Sequence, residues 1–175
     1  MAGLPFVVCA LALAGSVTAT LSPPKAAIPR LRPLDTWSKA LVARGLEKSP
    51  TFRALVDRLA RADLIVYVAV GPRVATASGA LRFVGTSATF RFVHVSLDQS
   101  LTNTELVAVL GHELQHAVEV AESPDVRDLE SFRRYYQQQG EVGSEIGRFE
   151  TEAARRAGRR VREDLAGREG PGAGR

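Results

Sequence analysis

Apolar residues recur along this chain with two periods, and the changes between them mark out the elements. Between residues 36 and 60 the spacing is helical. Trp37, Leu41 and Leu46 lie on one predicted helix, which Asp35 or Thr36 can cap. Phe52, Leu55, Val56 and Leu59 form the stripe of a second. Ser49 followed by Pro50 marks its start, because the hydroxyl can accept from an unpaired N–H and Pro has no N–H to leave unpaired. At residues 64–70 (LIVYVAV) the pattern becomes a β-branched run, as in a buried strand. Residues 79–84 and 87–96 alternate with period two, and Gly85 and Thr86 are expected at the turn between them.

Helical spacing then returns. Thr102 and Glu105 fit a capping box, in which each side chain binds the other residue's backbone N–H. Leu106, Val107, Leu110, Leu114, Ala117, Val118 and Ala121 make one continuous helical face behind it. Ser123 and Pro124 interrupt the pattern. A more polar helix is predicted over residues 125–138, ending near Gly140. A last helix is predicted over residues 144–165 and carries Ile146, Phe149, Ala153, Ala154, Ala157 and Val161. The expectation is an α+β fold in which two helices, three short strands and then further helices follow one another.

The ends read differently. Residues 4–17 are an apolar run, and Val17, Thr18 and Ala19 offer the small-residue pattern of a signal-peptide cleavage site, so residues 1–19 are expected to be a signal peptide. No Lys or Arg precedes that run, so an uncleaved N-terminal anchor is the alternative. Residues 20–34 carry four prolines and read as a linker or extended arm, and residues 166–175 as a disordered tail. The folded unit is expected over residues 35–165. No second hydrophobic stretch reaches spanning length, so the mature chain is expected to have no membrane span.

Composition adds two points. With 45% apolar and 24% charged residues in 175, the chain can bury a core as one domain. The single Cys, Cys9, lies inside the expected signal, so an exported mature form has no disulfide and depends on its core, helped or not by a metal. The net charge of +4 comes largely from Arg155, Arg156, Arg159 and Arg160 and their neighbours. A solvated helix face explains such a run, and no aromatic residues interleave with it, so no specific nucleic-acid partner is expected.

The chemistry concentrates in residues 112–116. His112-Glu113-Leu114-Gln115-His116 is an HExxH sequence in the middle of a predicted helix. Positions four apart lie one turn apart on one face, so both imidazoles can reach one Zn²⁺. Glu113, beside the first of them, can take a proton from a metal-bound water and pass it to a leaving amine. Only three histidines exist in the chain, and two fall in this pattern.

This segment resembles the active-site helix of zincin metallopeptidases. The order of helices, short strands, HExxH helix and later Glu-bearing helix is similar to the gluzincin core in its small single-domain form, over roughly residues 50–165. The resemblance implies a third ligand. The metzincin arrangement does not fit, because Glu119 and Glu122 stand where that group has its helix-breaking Gly and its third ligand. Phe149-Glu150-Thr151-Glu152-Ala153 resembles the E-x-x-A pattern of gluzincins, which assigns the ligand to Glu150, with Glu152 as competitor. The Asp that many gluzincins place four residues after the ligand Glu is here Ala154, so another group must orient the histidine. Glu119, one turn after His116, is a candidate for that role and equally for a plain exposed carboxylate. Tyr135, Tyr136 and His94 are candidates to stabilise a developing oxyanion, against the competing readings of amphipathic surface aromatics for the tyrosines and a structural strand residue for His94. The resemblance also implies a peptide or protein substrate laid along an edge strand at residues 79–84. The resulting expectation is an exported, periplasmic or secreted, zinc metallopeptidase with metal ligands His112, His116 and Glu150 and catalytic base Glu113. A non-catalytic zinc-binding or partner-binding domain on the same fold is the alternative.

Overall fold

Helix caps and strand pairing define the elements. The structure, a computed structural model, describes residues 29–73, 77–139, 141–142 and 149–167. The expected signal peptide, the arm as far as residue 28 and the tail from residue 168 lie outside the described residues. The fold is α+β. In chain order it runs β1 (Leu31–Pro33), α1 (Thr36–Lys48), α2 (Pro50–Ala60), β2 (Leu64–Gly71), β3 (Gly79–Thr86), β4 (Arg91–Asp98), α3 (Asn103–Ala121), α4 (Leu129–Gln139), β5 (Glu141–Val142), β6 (Phe149–Glu150) and α5 (Glu152–Gly167). Among the described residues no helix is long and apolar enough to cross a membrane.

The helix starts follow local chemistry. Asp35 caps α1 by accepting from the Ser38 N–H at 2.7 Å, and its other oxygen accepts from Val70 N–H, which ties α1 to β2. Ser49 caps α2 with Pro50 in its first turn. Thr102 and Glu105 form the capping box of α3. Asp128 accepts from Ser131 N–H at 2.7 Å at the start of α4.

The sheet departs from the expected three strands. It has four, in the order β1-β2-β4-β3. β1 comes from the end of the Pro-rich arm and pairs in parallel with β2, Leu31 opposite Val66. Pro33 is tolerated there because β1 is an edge strand, where a missing N–H costs no ladder bond. β2 and β4 are parallel, and β3 closes the other edge antiparallel to β4. The turn expected at Gly85 and Thr86 lies further on. Those residues stay in β3 past an irregularity between Phe83 and Gly85, and Ser87 makes the turn by donating its N–H to Phe90 O and accepting from Thr89 and Phe90 N–H.

Strand alternation sorts the two faces of the sheet. Leu64, Val66, Val68, Val93, Val95 and Leu97 are fully buried beneath the helices. The intervening Tyr67, Phe92 and His94 point the other way and are half-buried. α3 lies between this sheet and α5, with α1 and α2 alongside, and is therefore buried on nearly every side. Its axis comes close to α5 because both contribute glycine. A Cβ on Gly111 would stand 2.7 Å from Val161 Cγ2, and one on Gly158 would stand 3.2 Å from His112 Cβ.

The far end of α3 is held by Arg91. This guanidinium is buried at 1% exposure and donates to the carbonyls of Val120, Ala121, Ser123 and Val126 while pairing with Asp63. Carbonyls in the last turn of a helix have no partner within it, so one β4 side chain satisfies what a C-cap otherwise must. At the other helix–helix junction, Asp164 of α5 accepts from Ser49 Oγ at 2.6 Å and Thr51 N–H at 3.1 Å, where the α2 dipole favours an anion.

The start of α5 also departs from expectation. The helix predicted from residue 144 begins at Glu152. Phe149 and Glu150 are extended and pair with Glu141 and Val142. Thr151 Oγ1 accepts from Ala154 N–H at 3.1 Å, so Thr151 caps the helix and Glu150 precedes it. Residues 143–148 lie outside the described residues.

Candidate functional site

α3 places His112 and His116 one turn apart, and their rings meet edge-to-face with centroids 4.8 Å apart. The extended residue Glu150 comes in from the start of α5. Its Oε1 lies 3.6 Å from His112 Nε2. Two donors bound to one tetrahedral zinc at about 2.0–2.1 Å are themselves roughly 3.3 Å apart, so this spacing is near that of ligands sharing an ion. Glu152 turns to the surface, where it accepts from Arg155 and Arg159. Of the two carboxylates weighed from sequence, Glu150 is the one beside the motif. It reaches that position from an extended segment rather than from the expected helix face.

His116 is held tightly. Its Nδ1 lies 2.9 Å from Glu119 Oε2. Glu119 is a half-buried carboxylate that also accepts from Thr151 Oγ1 at 2.7 Å and from Gln115 Nε2 at 3.4 Å. Its second candidate reading, a plain exposed carboxylate, therefore does not hold. Burial opposes charge on the His116 ring. The Glu119 hydrogen bond and the charges of Glu113, Glu119 and Glu150 outweigh it and raise the pKa above 6.5. Burial likewise opposes ionisation of Glu119, but its bond and charge contact with His116 bring its pKa below 4.5.

The other ring nitrogen of His116 tests whether these residues suit a metal. Nε2 is buried and has no hydrogen-bond partner among the described residues. An orphaned buried nitrogen is costly and rare in a folded protein. With Nδ1 committed to a carboxylate, Nε2 of the neutral ring carries a lone pair, the arrangement found in metal-bound histidines. Two imidazoles and a carboxylate are a donor set that zinc accepts. Among the described residues, however, no three His, Cys, Asp or Glu side chains already form a cluster ready to hold an ion. The fit therefore rests on the His112–Glu150 approach and on the orphaned His116 nitrogen. His112 and Glu150 reach solvent, with side chains 19% and 26% exposed, while His116 is 5% exposed. Access to the site is thus from the His112 side.

Glu113 is buried at 5% exposure against the edge strand β3. A Cβ on Gly79 would stand 2.9 Å from Glu113 Oε1 and 2.5 Å from Val109 Cγ1. Gly79 is thus what lets β3 lie across the carboxylate. The sequence places Gly79 at the start of that edge strand, as found, but carries no sign that the position must be glycine. Sequence reasoning passed over Gly158, which admits α5 beside His112, and Thr151. Thr151 had a legible signal, a Thr immediately before an acidic residue at a helix start.

Of the three candidate oxyanion donors, Tyr136 packs its ring edge-to-face on His116 with centroids 5.3 Å apart, but each of the three is engaged by another partner. Tyr136 is buried and donates its hydroxyl to His116 O at 3.1 Å, so it braces the backbone of α3, and burial raises its pKa. Tyr135 bonds Ser123 near the end of α3. His94 is on the sheet face away from α3, within 3.2 Å of Ser96 Oγ, with its pKa lowered by burial and by Arg82.

Comparison with protein-family models, with curated proteins and with solved structures finds no match for this chain.

Proposed function

We propose that this chain is a zinc-dependent peptidase of the gluzincin-like HExxH type, exported from the cytoplasm and acting on peptide or protein chains. The observation that carries this reading is the meeting of two separate elements: Glu150 Oε1 stands 3.6 Å from His112 Nε2, and the His112 ring packs against that of His116, whose Nε2 is orphaned. Export is supported by the apolar run at residues 4–17 and the small residues after it.

His112, His116 and Glu150 would hold the metal. Zinc bound there supplies Lewis-acid polarisation of a carbonyl and a lowered pKa for water. The remaining work falls to the chain itself. Glu113 is a desolvated carboxylate beside the first histidine and serves as proton acceptor and then donor at its carboxylate oxygens. β3 offers the sheet's outer backbone edge next to Glu113, suited to pairing with an extended peptide. Glu119 keeps His116 in one orientation.

The test is a pair of measurements on the purified protein. Wild type should contain one zinc per chain at neutral pH, and Glu113→Gln should keep the zinc while hydrolysis of an unfolded substrate such as casein falls by about 10²–10⁴. Protein that binds no zinc would end the proposal. A second reading, a zinc-binding domain without turnover, is favoured by one observation: the hydroxyls of Tyr136 and Tyr135 are engaged by His116 O and by Ser123, and His94 lies on the sheet face away from α3. It predicts bound zinc and no cleavage in either protein.

A further inference from the structure

One hydroxyl joins the two elements that carry the metal-site residues. Thr151 Oγ1 donates to Glu119 Oε1 at 2.7 Å and accepts from Ala154 N–H at 3.1 Å. The other oxygen of Glu119 faces His116 Nδ1 at 2.9 Å. Thr151 is bonded in sequence to Glu150, the residue that approaches His112.

We propose that Glu119 and Thr151 are positioning residues, a carboxylate–hydroxyl clamp that presents His116 Nε2 and holds Glu150 beside His112. The inference rests on the zinc reading above and adds to it the device that assembles the site. A carboxylate can only accept, so the neutral His116 ring must carry its proton on Nδ1, which leaves the lone pair on Nε2. Glu119 is rigid in this role because α3 fixes its backbone and Thr151 fixes its second oxygen. Thr151 is rigid because its hydroxyl also caps α5. The clamp therefore sets the His116 tautomer and the entry path of residue 150 together. It gives His116 a carboxylate partner that position 154 does not offer, since Ala154 carries no group to bind a histidine.

The experiment compares the full-length wild type with Thr151→Val, Thr151→Ser and Glu119→Gln. Two readouts are taken. Ring ¹⁵N–¹H correlations on metal-free, histidine-labelled protein at alkaline pH report the His116 tautomer. Competition against a chelator reports zinc affinity. Wild type and Thr151→Ser should show a proton on His116 Nδ1 and the same zinc affinity. Thr151→Val and Glu119→Gln should show mixed tautomers and zinc affinity weaker by about 10- to 100-fold. Glu119→Gln leaves the α5 cap intact, so agreement between the two variants assigns the effect to the clamp and not to the helix start. If both keep the wild-type tautomer and affinity, or if Thr151→Ser behaves as Thr151→Val, the clamp is wrong. If the tautomer changes as expected but no form takes up zinc, the clamp stands and the zinc reading falls.

Discussion

At the residue scale, the site depends on how closely backbone can approach it. Gly79 is the sharpest case. An added Cβ would meet Val109 Cγ1 at 2.5 Å, on a short β-branched side chain with little room to yield, and Glu113 Oε1 at 2.9 Å, the buried end of its carboxylate. Gly79→Ala should therefore destabilise the protein by about 1–3 kcal/mol, as overpacking does, and shift Glu113. Gly85 is the control in the same strand, because nothing lies within 4 Å of its added Cβ. Gly85→Ala should stay within about 0.5 kcal/mol of wild type in urea unfolding. Equal losses for both would show that strand propensity, and not the contact with Glu113, sets the requirement. The motif residues themselves were legible in the sequence, because helical spacing alone brings His112 and His116 to one face. Gly79 and Gly158 were not legible, since a glycine required by a neighbour distant in sequence looks like any other glycine.

At the element scale, α3 is fixed at both ends by partners of different kinds. Its start is a capping box that the sequence displays. Its end depends on Arg91, a strand residue that alternation alone would place among apolar neighbours. Replacing Arg91 with Met leaves several buried carbonyls and Asp63 without their donor. A loss of about 3 kcal/mol or more is expected, roughly a 10 °C fall in Tm. The same pair has a pH signature. Burial opposes ionisation of Asp63, but the hydrogen bonds and charge of Arg91 bring its pKa below 3.8. A carboxyl with a depressed folded pKa stabilises above its unfolded value, and that stabilisation is lost as pH falls through the folded one. Thermal melts from pH 5 downward should thus show a loss of stability in wild type below about pH 3.8 that Asp63→Asn lacks. Parallel curves would remove Asp63 from the explanation. The start of α5 shows why helix limits are hard to read: residues 144–150 carry helix-compatible spacing, yet the Thr151 cap begins the helix later and leaves Glu150 extended.

At the scale of the whole molecule, the order of elements was readable and the sheet was only partly so. Period and caps gave the helices and the strands β2, β3 and β4, because those signals are local. β1 escaped because three residues in a Pro-rich arm have no periodicity, and only pairing with β2 makes them a strand. The meeting of Glu150 with His112 was accessible through the resemblance and not through any local signal, since it joins residues on separate elements. A bound ion would link these elements, so zinc should stabilise the whole fold. At a hundredfold excess over its Kd the gain is about 2.7 kcal/mol, and chelation should lower Tm accordingly. An unchanged Tm on chelation would mean that α3 and α5 are joined by packing alone.

The most direct test of the central claim, that His112, His116 and Glu150 form one zinc site, is a zinc titration of wild type, Glu150→Ala and Glu152→Ala. One zinc per chain is predicted for wild type and Glu152→Ala with equal affinity, and binding weaker by about a hundredfold or more for Glu150→Ala. Wild type that takes up no zinc, or affinity lost with Glu152 and kept without Glu150, would contradict it.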